Sequence, residues 1–160
     1  MRIAVLTISD AGALGQRADT SGDAIAAWVR QRQHELSQRA IVPDETVQIV
    51  TFLTEWCDAD AADLVLTTGG TGLSERDVTP EATLAVLERQ APGIVERIRV
   101  TALATFPRAA LSRGVSGTRK KTLIVNLPGS PGGVKDALAA LDPIIDHAVA
   151  VLRAQPLDHK

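Results

Sequence analysis

Runs of apolar residues alternate along the chain with stretches in which apolar residues recur every three or four positions. The runs rich in β-branched residues predict four strands, at 2–9, 39–43, 62–68 and 120–129. Apolar residues at helical spacing predict helices at 21–36, 44–58, 79–90, 92–106 and 130–154. Within the helix predicted at 44–58, Val47, Val50, Leu53 and Cys57 are expected to form the buried face. Pro143 lies inside the last helical pattern and is expected to kink or divide it, because proline lacks the amide hydrogen that a helix uses.

Strands and helices that take turns in this way predict a three-layer α/β/α sandwich with a mostly parallel central sheet. In such sheets ligands bind at the carboxyl ends of the strands. The unusual residues of this chain follow the predicted strands: Ser9 and Asp10, then Asp44, then the segment 69–72, then the segment 128–133. We therefore expect one ligand site at one edge of the sheet.

Length and composition limit the classes of protein that need to be considered. The 160 residues predict a single domain, 1–160, and an aromatic content of 2% without tyrosine predicts an aliphatic core. A net charge of −2 argues against nucleic-acid binding, which uses a basic excess. Cys57 is the only cysteine, which excludes an intrachain disulfide. Without a signal segment or a long apolar run, we expect a cytoplasmic protein without a membrane span.

The segment Thr-Gly-Gly-Thr-Gly begins at the last residue of the third predicted strand. Gly69, Gly70 and Gly72 permit positive φ angles and a close approach of backbone amides, and Thr68 and Thr71 add hydroxyl groups. This combination suits an oxyanion such as phosphate. A tight turn without a ligand is the alternative interpretation. The segment matches neither a Walker loop nor a dinucleotide-binding fingerprint.

Three carboxylates are predicted at the same edge of the sheet. Asp44 alone could cap a helix, and Asp10 alone could be a turn residue. Asp77 precedes Thr79, which is predicted to cap the next helix, and has no evident local role. Carboxylates beside a phosphate cradle suit Mg²⁺, which protein carboxylates and substrate phosphates bind together.

Two further segments could contact an anion. Ser130 and Pro131 repeat the pattern of a capping residue followed by proline, and a helix N-terminus can bind an anion. Arg113 lies among small residues in Leu-Ser-Arg-Gly-Val-Ser-Gly, a context that would suit a phosphate contact.

The residues singled out so far carry a resemblance to a known family. The segments TISD, DTSGDAI, VPDE, DLVLTTGGTGLSERDVTPEAT, PGIVERIR and LSRGVSGTRKKTLIVNLPGSPGGVKDAL occur in this order over nearly the whole chain. In them the chain resembles the MogA/MoaB-type molybdopterin-binding proteins of molybdenum cofactor biosynthesis, to which the gephyrin G domain is similar. The loop after Asp10 departs from this pattern, since Ala11 and Ala13 stand where polar residues are expected.

The resemblance implies a function and a set of roles. Enzymes of this family use Mg²⁺ to transfer AMP from ATP to the terminal phosphate of molybdopterin, with release of pyrophosphate. It implies catalytic and metal-binding roles for Asp44 and Asp77. It implies substrate or nucleotide binding by the other candidate residues, which are Ser9, Asp10, Thr68, Gly69, Gly70, Thr71, Gly72, Ser112, Arg113, Pro128, Gly129 and Ser130.

Other readings of the chain stay open at this point. Short members of the family include noncatalytic paralogues, so a molybdopterin-binding or scaffold protein is the alternative function. A flavodoxin-like receiver or flavin module is a more distant third, because neither its acidic pocket with a downstream lysine nor a flavin-stacking aromatic is evident. The resemblance also implies a homotrimer, sometimes paired, and possible contact with a molybdenum-insertion protein. Phe106, Leu111 and Val115 are the apolar residues expected to be exposed for such assembly.

Overall fold

The structure is a computed structural model that describes residues 1–155. The predicted domain, 1–160, thus includes five residues outside the described part. In the described part six strands form one sheet: β1 Arg2–Ile8, β2 Glu35–Val42, β3 Leu64–Thr68, β4 Arg89–Gln90, β5 Ser116–Arg119 and β6 Thr122–Leu127. They lie in the order β2-β1-β3-β6-β5-β4. The first four strands in this order are mutually parallel, whereas β5 pairs antiparallel with both β6 and β4. The predicted mostly parallel sheet is confirmed.

Helices cover both faces of the sheet. They are α1 Asp10–Ala13, α2 Thr20–Gln31, α3 Thr46–Asp58, α4 Thr79–Val86, α5 Pro92–Leu103, α6 Pro131–Leu141 and α7 Ile145–Leu152, with a 3-10 helix at Pro107–Leu111. Successive strand residues point to opposite faces, so Ile3 and Val5 of β1 join the core under α2, α5, α6 and α7. Ala4 and Leu6 join the core under α3 and α4. This division of one strand between two cores produces the predicted three layers.

The boundary between α2 and β2 differs from the prediction. The helix predicted at 21–36 ends at Gln31, and Gln33 has a φ of 57°, which breaks the helical path. Leu36, predicted to be helical, pairs with Ile3 in the sheet. An apolar residue at helical spacing therefore belongs to β2, which begins four residues before its predicted start.

Helix α3 buries only part of the face that was predicted. Val47 was expected on the buried face but is 76% exposed. Leu53 and Cys57 are buried as predicted, Val50 is half-buried, and Ile49 and Trp56 complete the buried face. Burial raises the pKa of the Cys57 thiol to about 11, so this cysteine stays protonated at neutral pH.

The second half of the chain contains one confirmed prediction and one wrong boundary. Pro143 falls between α6 and α7, so the division of the last helix is confirmed. The helix predicted at 79–90 ends at Val86, and Arg89 and Gln90 form β4 against β5. No helix among residues 1–155 combines the length and apolar character that a membrane span requires.

Candidate functional site

A cleft of about 230 Å³ opens at the carboxyl ends of the parallel strands. This is the edge at which ligands of such sheets bind. Seven of the residues predicted for the site line it: Ser9, Asp44, Thr68, Gly69, Gly70, Asp77 and Gly129. Loops after β1, β2, β3 and β6 thus meet around one cavity.

The loop after β3 can be formed only by glycine at two positions. Gly69 and Gly70 have φ angles of 98° and 63°, which residues with a Cβ rarely adopt. A Cβ on Gly69 would lie 2.2 Å from the carbonyl oxygen of Ile8, and a Cβ on Gly70 would lie 2.3 Å from the hydroxyl of Thr79. The missing side chains therefore allow the loop to pack directly on β1 and on the start of α4.

Thr79 fixes this loop rather than capping α4. Its hydroxyl donates a hydrogen bond to the carbonyl oxygen of Gly69 at 2.9 Å, and its amide donates to the carbonyl oxygen of Gly70 at 3.1 Å. Val78 occupies the N-cap position and makes no side-chain capping bond. The predicted Thr79 cap is wrong, because the fully buried hydroxyl is engaged by the glycine loop.

Asp10 and Asp44 bind each other's backbone. The amide of Asp10 donates to Asp44 Oδ2, and the amide of Asp44 donates to Asp10 Oδ1, both at 3.0 Å. Arg76 donates to both carboxylate oxygens of Asp10, at 3.0 and 2.8 Å. These contacts join the loops after β1, β2 and β3. The carboxylate of Asp10 is engaged by protein groups, and its predicted ligand contact stays a prediction.

Negative charge accumulates around Asp44. Burial raises the pKa of the Asp44 carboxyl, and the neighbouring carboxylates of Asp10 and Asp77 raise it further. By contrast, the hydrogen bond from Arg76 lowers the pKa of Asp10. A cation near Asp44 and Asp77 would relieve this charge, so the two residues fit a metal held partly by substrate oxygens. No group of three or more acidic, histidine or cysteine side chains within residues 1–155 could hold a metal ion without such help.

Asp77 has a local contact that the sequence did not reveal. Its Oδ2 accepts a hydrogen bond from the amide of Ser74 at 2.9 Å, which closes the turn after the glycine loop. A Cβ on Gly72 would lie 2.8 Å from the same oxygen. Asp77 thus lines the cleft while its carboxylate also holds the turn.

Arg113 holds the glycine loop from outside the cleft. Its guanidinium donates to the carbonyl oxygens of Gly72 at 2.7 Å and Asp77 at 2.5 Å, and it forms an ion pair with Glu81. Its amide donates to the carbonyl oxygen of Thr71 at 2.9 Å. Neither Thr71, Gly72 nor Arg113 lines the cleft, so their predicted phosphate contacts stay predictions.

Ser112, Pro128 and Ser130 line a second cavity of about 120 Å³, which is predominantly apolar. Its other walls include Val95 of α5, Phe106 directly before the 3-10 helix and Asp136 of α6. Ser130 caps α6 by accepting a hydrogen bond from the amide of Gly133 at 3.1 Å, which confirms the predicted cap. Most of the predicted residues thus line one of two neighbouring cavities that share the segment after β6, and four line neither: Asp10, Thr71, Gly72 and Arg113.

The start of α2 also lines the cleft, and sequence reasoning missed it. Asp19 caps this helix through the amide of Gly22 at 2.8 Å and accepts from the hydroxyl of Thr7 at 3.0 Å. Ser21 donates to the carbonyl oxygen of Gly129 at 2.7 Å, which ties α2 to the loop after β6. The segment Asp-Thr-Ser-Gly-Asp carried the signal, since aspartate before a helical pattern is a typical N-cap.

A mostly parallel sheet with a glycine loop and two carboxylates at its carboxyl edge defines an α/β protein suited to an anionic ligand. The family described as "Probable molybdopterin binding domain" matches residues 4–147. The chain belongs to this molybdopterin-binding domain family, and the resemblance inferred from the sequence is confirmed.

Relatives with names and structures agree with this assignment. The molybdopterin adenylyltransferase of Escherichia coli (strain K12) is 43% identical over 141 residues, which cover 86% of this chain and 72% of that protein. The enzyme of the same name from Helicobacter pylori (strain J99) is 40% identical, covering 95% of this chain and 88% of its own. Among solved structures, the molybdopterin biosynthesis enzyme MoaB from Thermus thermophilus is similar with a TM-score of 0.91 at 45% identity, over 97% of this chain and 98% of that one.

Proposed function

We propose that this protein is a molybdopterin adenylyltransferase of molybdenum cofactor biosynthesis. It transfers AMP from ATP to the terminal phosphate of molybdopterin and releases pyrophosphate. The observation that carries the proposal is the convergence of the glycine loop with Asp44 and Asp77 on one cleft. The relatives named molybdopterin adenylyltransferase, at 40–43% identity, support the choice of reaction.

The proposed reaction requires positioning and charge neutralisation more than covalent help from the protein. An oxygen of the terminal phosphate of molybdopterin attacks the α-phosphorus of ATP, and the bond to the β-phosphate breaks so that pyrophosphate leaves. The backbone of Gly69 and Gly70 would position phosphate oxygens, because both residues line the cleft and neither has a side chain of its own. The contacts of Thr79 and Arg113 would keep this loop in one conformation.

Mg²⁺ is the cofactor that we propose for this site. Asp44 and Asp77 would hold it, and when bound it would neutralise charge on the phosphates. Both residues line the cleft, and the charge around Asp44 favours a cation there. Asp10 would hold Asp44 in place instead of binding the metal, because Arg76 engages its carboxylate.

Pyrophosphate release from ATP, measured with and without molybdopterin and Mg²⁺, tests the proposal. We expect release only when all three are present. ATP and molybdopterin binding, followed by calorimetry, addresses the alternative of a noncatalytic molybdopterin-binding paralogue. Binding of molybdopterin without pyrophosphate release under any condition would favour that alternative.

We further propose a homotrimer in the cytoplasm, with possible contact to a molybdenum-insertion protein. Exposed apolar side chains on α5, on the 3-10 helix and directly before it support self-association: Val100 is 68% exposed, Phe106 47% and Leu111 51%. Val115, the third residue expected to be exposed, is half-buried. Light scattering that gives the mass of a monomer at micromolar concentration would contradict the trimer.

A further inference from the structure

The arginines that surround the cleft differ in whether a carboxylate already engages them. Arg39 forms ion pairs with Asp19 and Asp23, both at 2.7 Å. Arg76 is held by Asp10, and Arg113 by Glu81. A ligand phosphate would have to displace an existing partner to bind any of these three.

Arg17 is the exception. It is the one cationic side chain that lines the cleft in the part of the chain that the structure describes. Its guanidinium forms no hydrogen bond or ion pair with any residue in 1–155, and the residue is exposed. It lies in the segment between α1 and α2, whose end carries the cap residue Asp19.

The other charged residues on the cleft wall are acidic: Asp19, Asp44 and Asp77. A ligand that carries phosphates is repelled by these charges unless cations offset them. Asp19 already has Arg39 as its partner, and a metal ion would offset Asp44 and Asp77. The wall formed by the start of α2 then has Arg17 as its available cation for a phosphate.

We propose that Arg17 binds a phosphate group of the ligand in this cleft. The proposal deepens the proposed function, since it rests on a phosphate-bearing ligand at the same site. Arginine suits the role because its planar fork donates two parallel hydrogen bonds to phosphate oxygens. The phosphate belongs either to ATP or to molybdopterin, and both offer the same oxygens.

The test titrates ATP, inorganic pyrophosphate and molybdopterin separately into wild type and Arg17→Ala, in the presence of Mg²⁺, by calorimetry. Loss of one charge-assisted contact should weaken binding about tenfold. Arg17→Lys keeps the charge without the fork and should recover part of the affinity. Arg30→Ala is the matched control, because Arg30 lies on α2, is also exposed and does not line the cleft.

Each outcome decides the proposal. Weaker binding of ATP and pyrophosphate assigns Arg17 to a nucleotide phosphate, and weaker binding of molybdopterin alone assigns it to the pterin phosphate. Unchanged binding of all three ligands, or an equal loss in Arg30→Ala, overturns the proposal, as does a wild type that binds none of them. A wild type that binds but releases no pyrophosphate refutes the adenylyltransferase function, while the affinity ratios still decide the role of Arg17.

Discussion

Replacing Asp77 with asparagine separates its proposed chemical role from its structural contact with Ser74. Asparagine keeps the size of the side chain and offers an oxygen that can accept the hydrogen bond from the Ser74 amide, now 2.9 Å from Oδ2. Asparagine removes only the negative charge that Asp77 contributes to the cleft. We therefore expect pyrophosphate release to fall strongly while the fold remains nearly as stable as the wild type.

Two estimates of the fall in the rate of pyrophosphate release agree. A unit charge that acts across ~5 Å at an effective dielectric constant of about 20 contributes roughly 3 kcal/mol, which corresponds to about two orders of magnitude in rate. Removal of one preorganised electrostatic group from an active site typically lowers kcat by about 10²- to 10³-fold. The change in the free energy of unfolding should stay below about 0.5 kcal/mol, because the side-chain oxygen of the variant still accepts the hydrogen bond from the Ser74 amide.

The assay is pyrophosphate release from ATP and molybdopterin, with thermal melts of the same samples. Glu75→Gln is the matched control, since it removes a carboxylate from the same loop at an exposed position outside the cleft. It should retain wild-type activity and stability. An Asp77→Asn variant that melts early and still turns over at the wild-type rate would show that Asp77 is only structural.

Three further predictions concern the loop and its surroundings. Gly69→Ala should destabilise the fold by about 2 kcal/mol or more in chemical denaturation, because its Cβ would lie 2.2 Å from the Ile8 carbonyl oxygen; Gly132→Ala, with no atom within 4 Å of its Cβ, should not. Thr79→Val should cost about 1–3 kcal/mol by leaving the Gly69 carbonyl without its donor, whereas Thr79→Ser should recover most of that loss; equal stability of the two variants would contradict this role. Burial raises the pKa of Asp44 above its ordinary 3.8, so the folded protein binds this proton more tightly than the unfolded chain does. The stability that results is lost as pH rises through the pKa of Asp44 in the folded state. Asp44→Asn should therefore melt above wild type near pH 7 and close to it near pH 3, and the same difference at both pH values would refute the reasoning.

The layers of the fold could be predicted because each element carries its own pattern. Leu64, Val65 and Leu66 form a run without polar alternation and are all fully buried in β3. The division of the last helix followed from Pro143 alone. Strand β4 could not be predicted in this way, because its two residues, Arg89 and Gln90, are polar and obtain their conformation from pairing with β5.

The candidate site was predictable as a location but not as a set of contacts. The rule that ligands bind at the carboxyl ends of parallel strands brought Asp44, Asp77 and the glycine loop to one edge. The partner of each side chain depends on residues far away in sequence. The phosphate contact of Arg113 stays a prediction, and the sequence did not reveal that Arg113 binds the carbonyl oxygens of Gly72 and Asp77, 41 and 36 positions before it.

These distant contacts explain why the cleft can act by positioning. Thr68 donates to the carbonyl oxygen of Pro128 at 2.6 Å, Ser21 donates to that of Gly129 at 2.7 Å, and the Asp10–Asp44 exchange joins the first two loops. Every loop at the edge is therefore tied to a neighbour by backbone or buried polar groups. Because phosphoryl transfer depends on placement of the reacting oxygens, a cleft built from mutually fixed loops has little reorganisation to perform when its ligands bind.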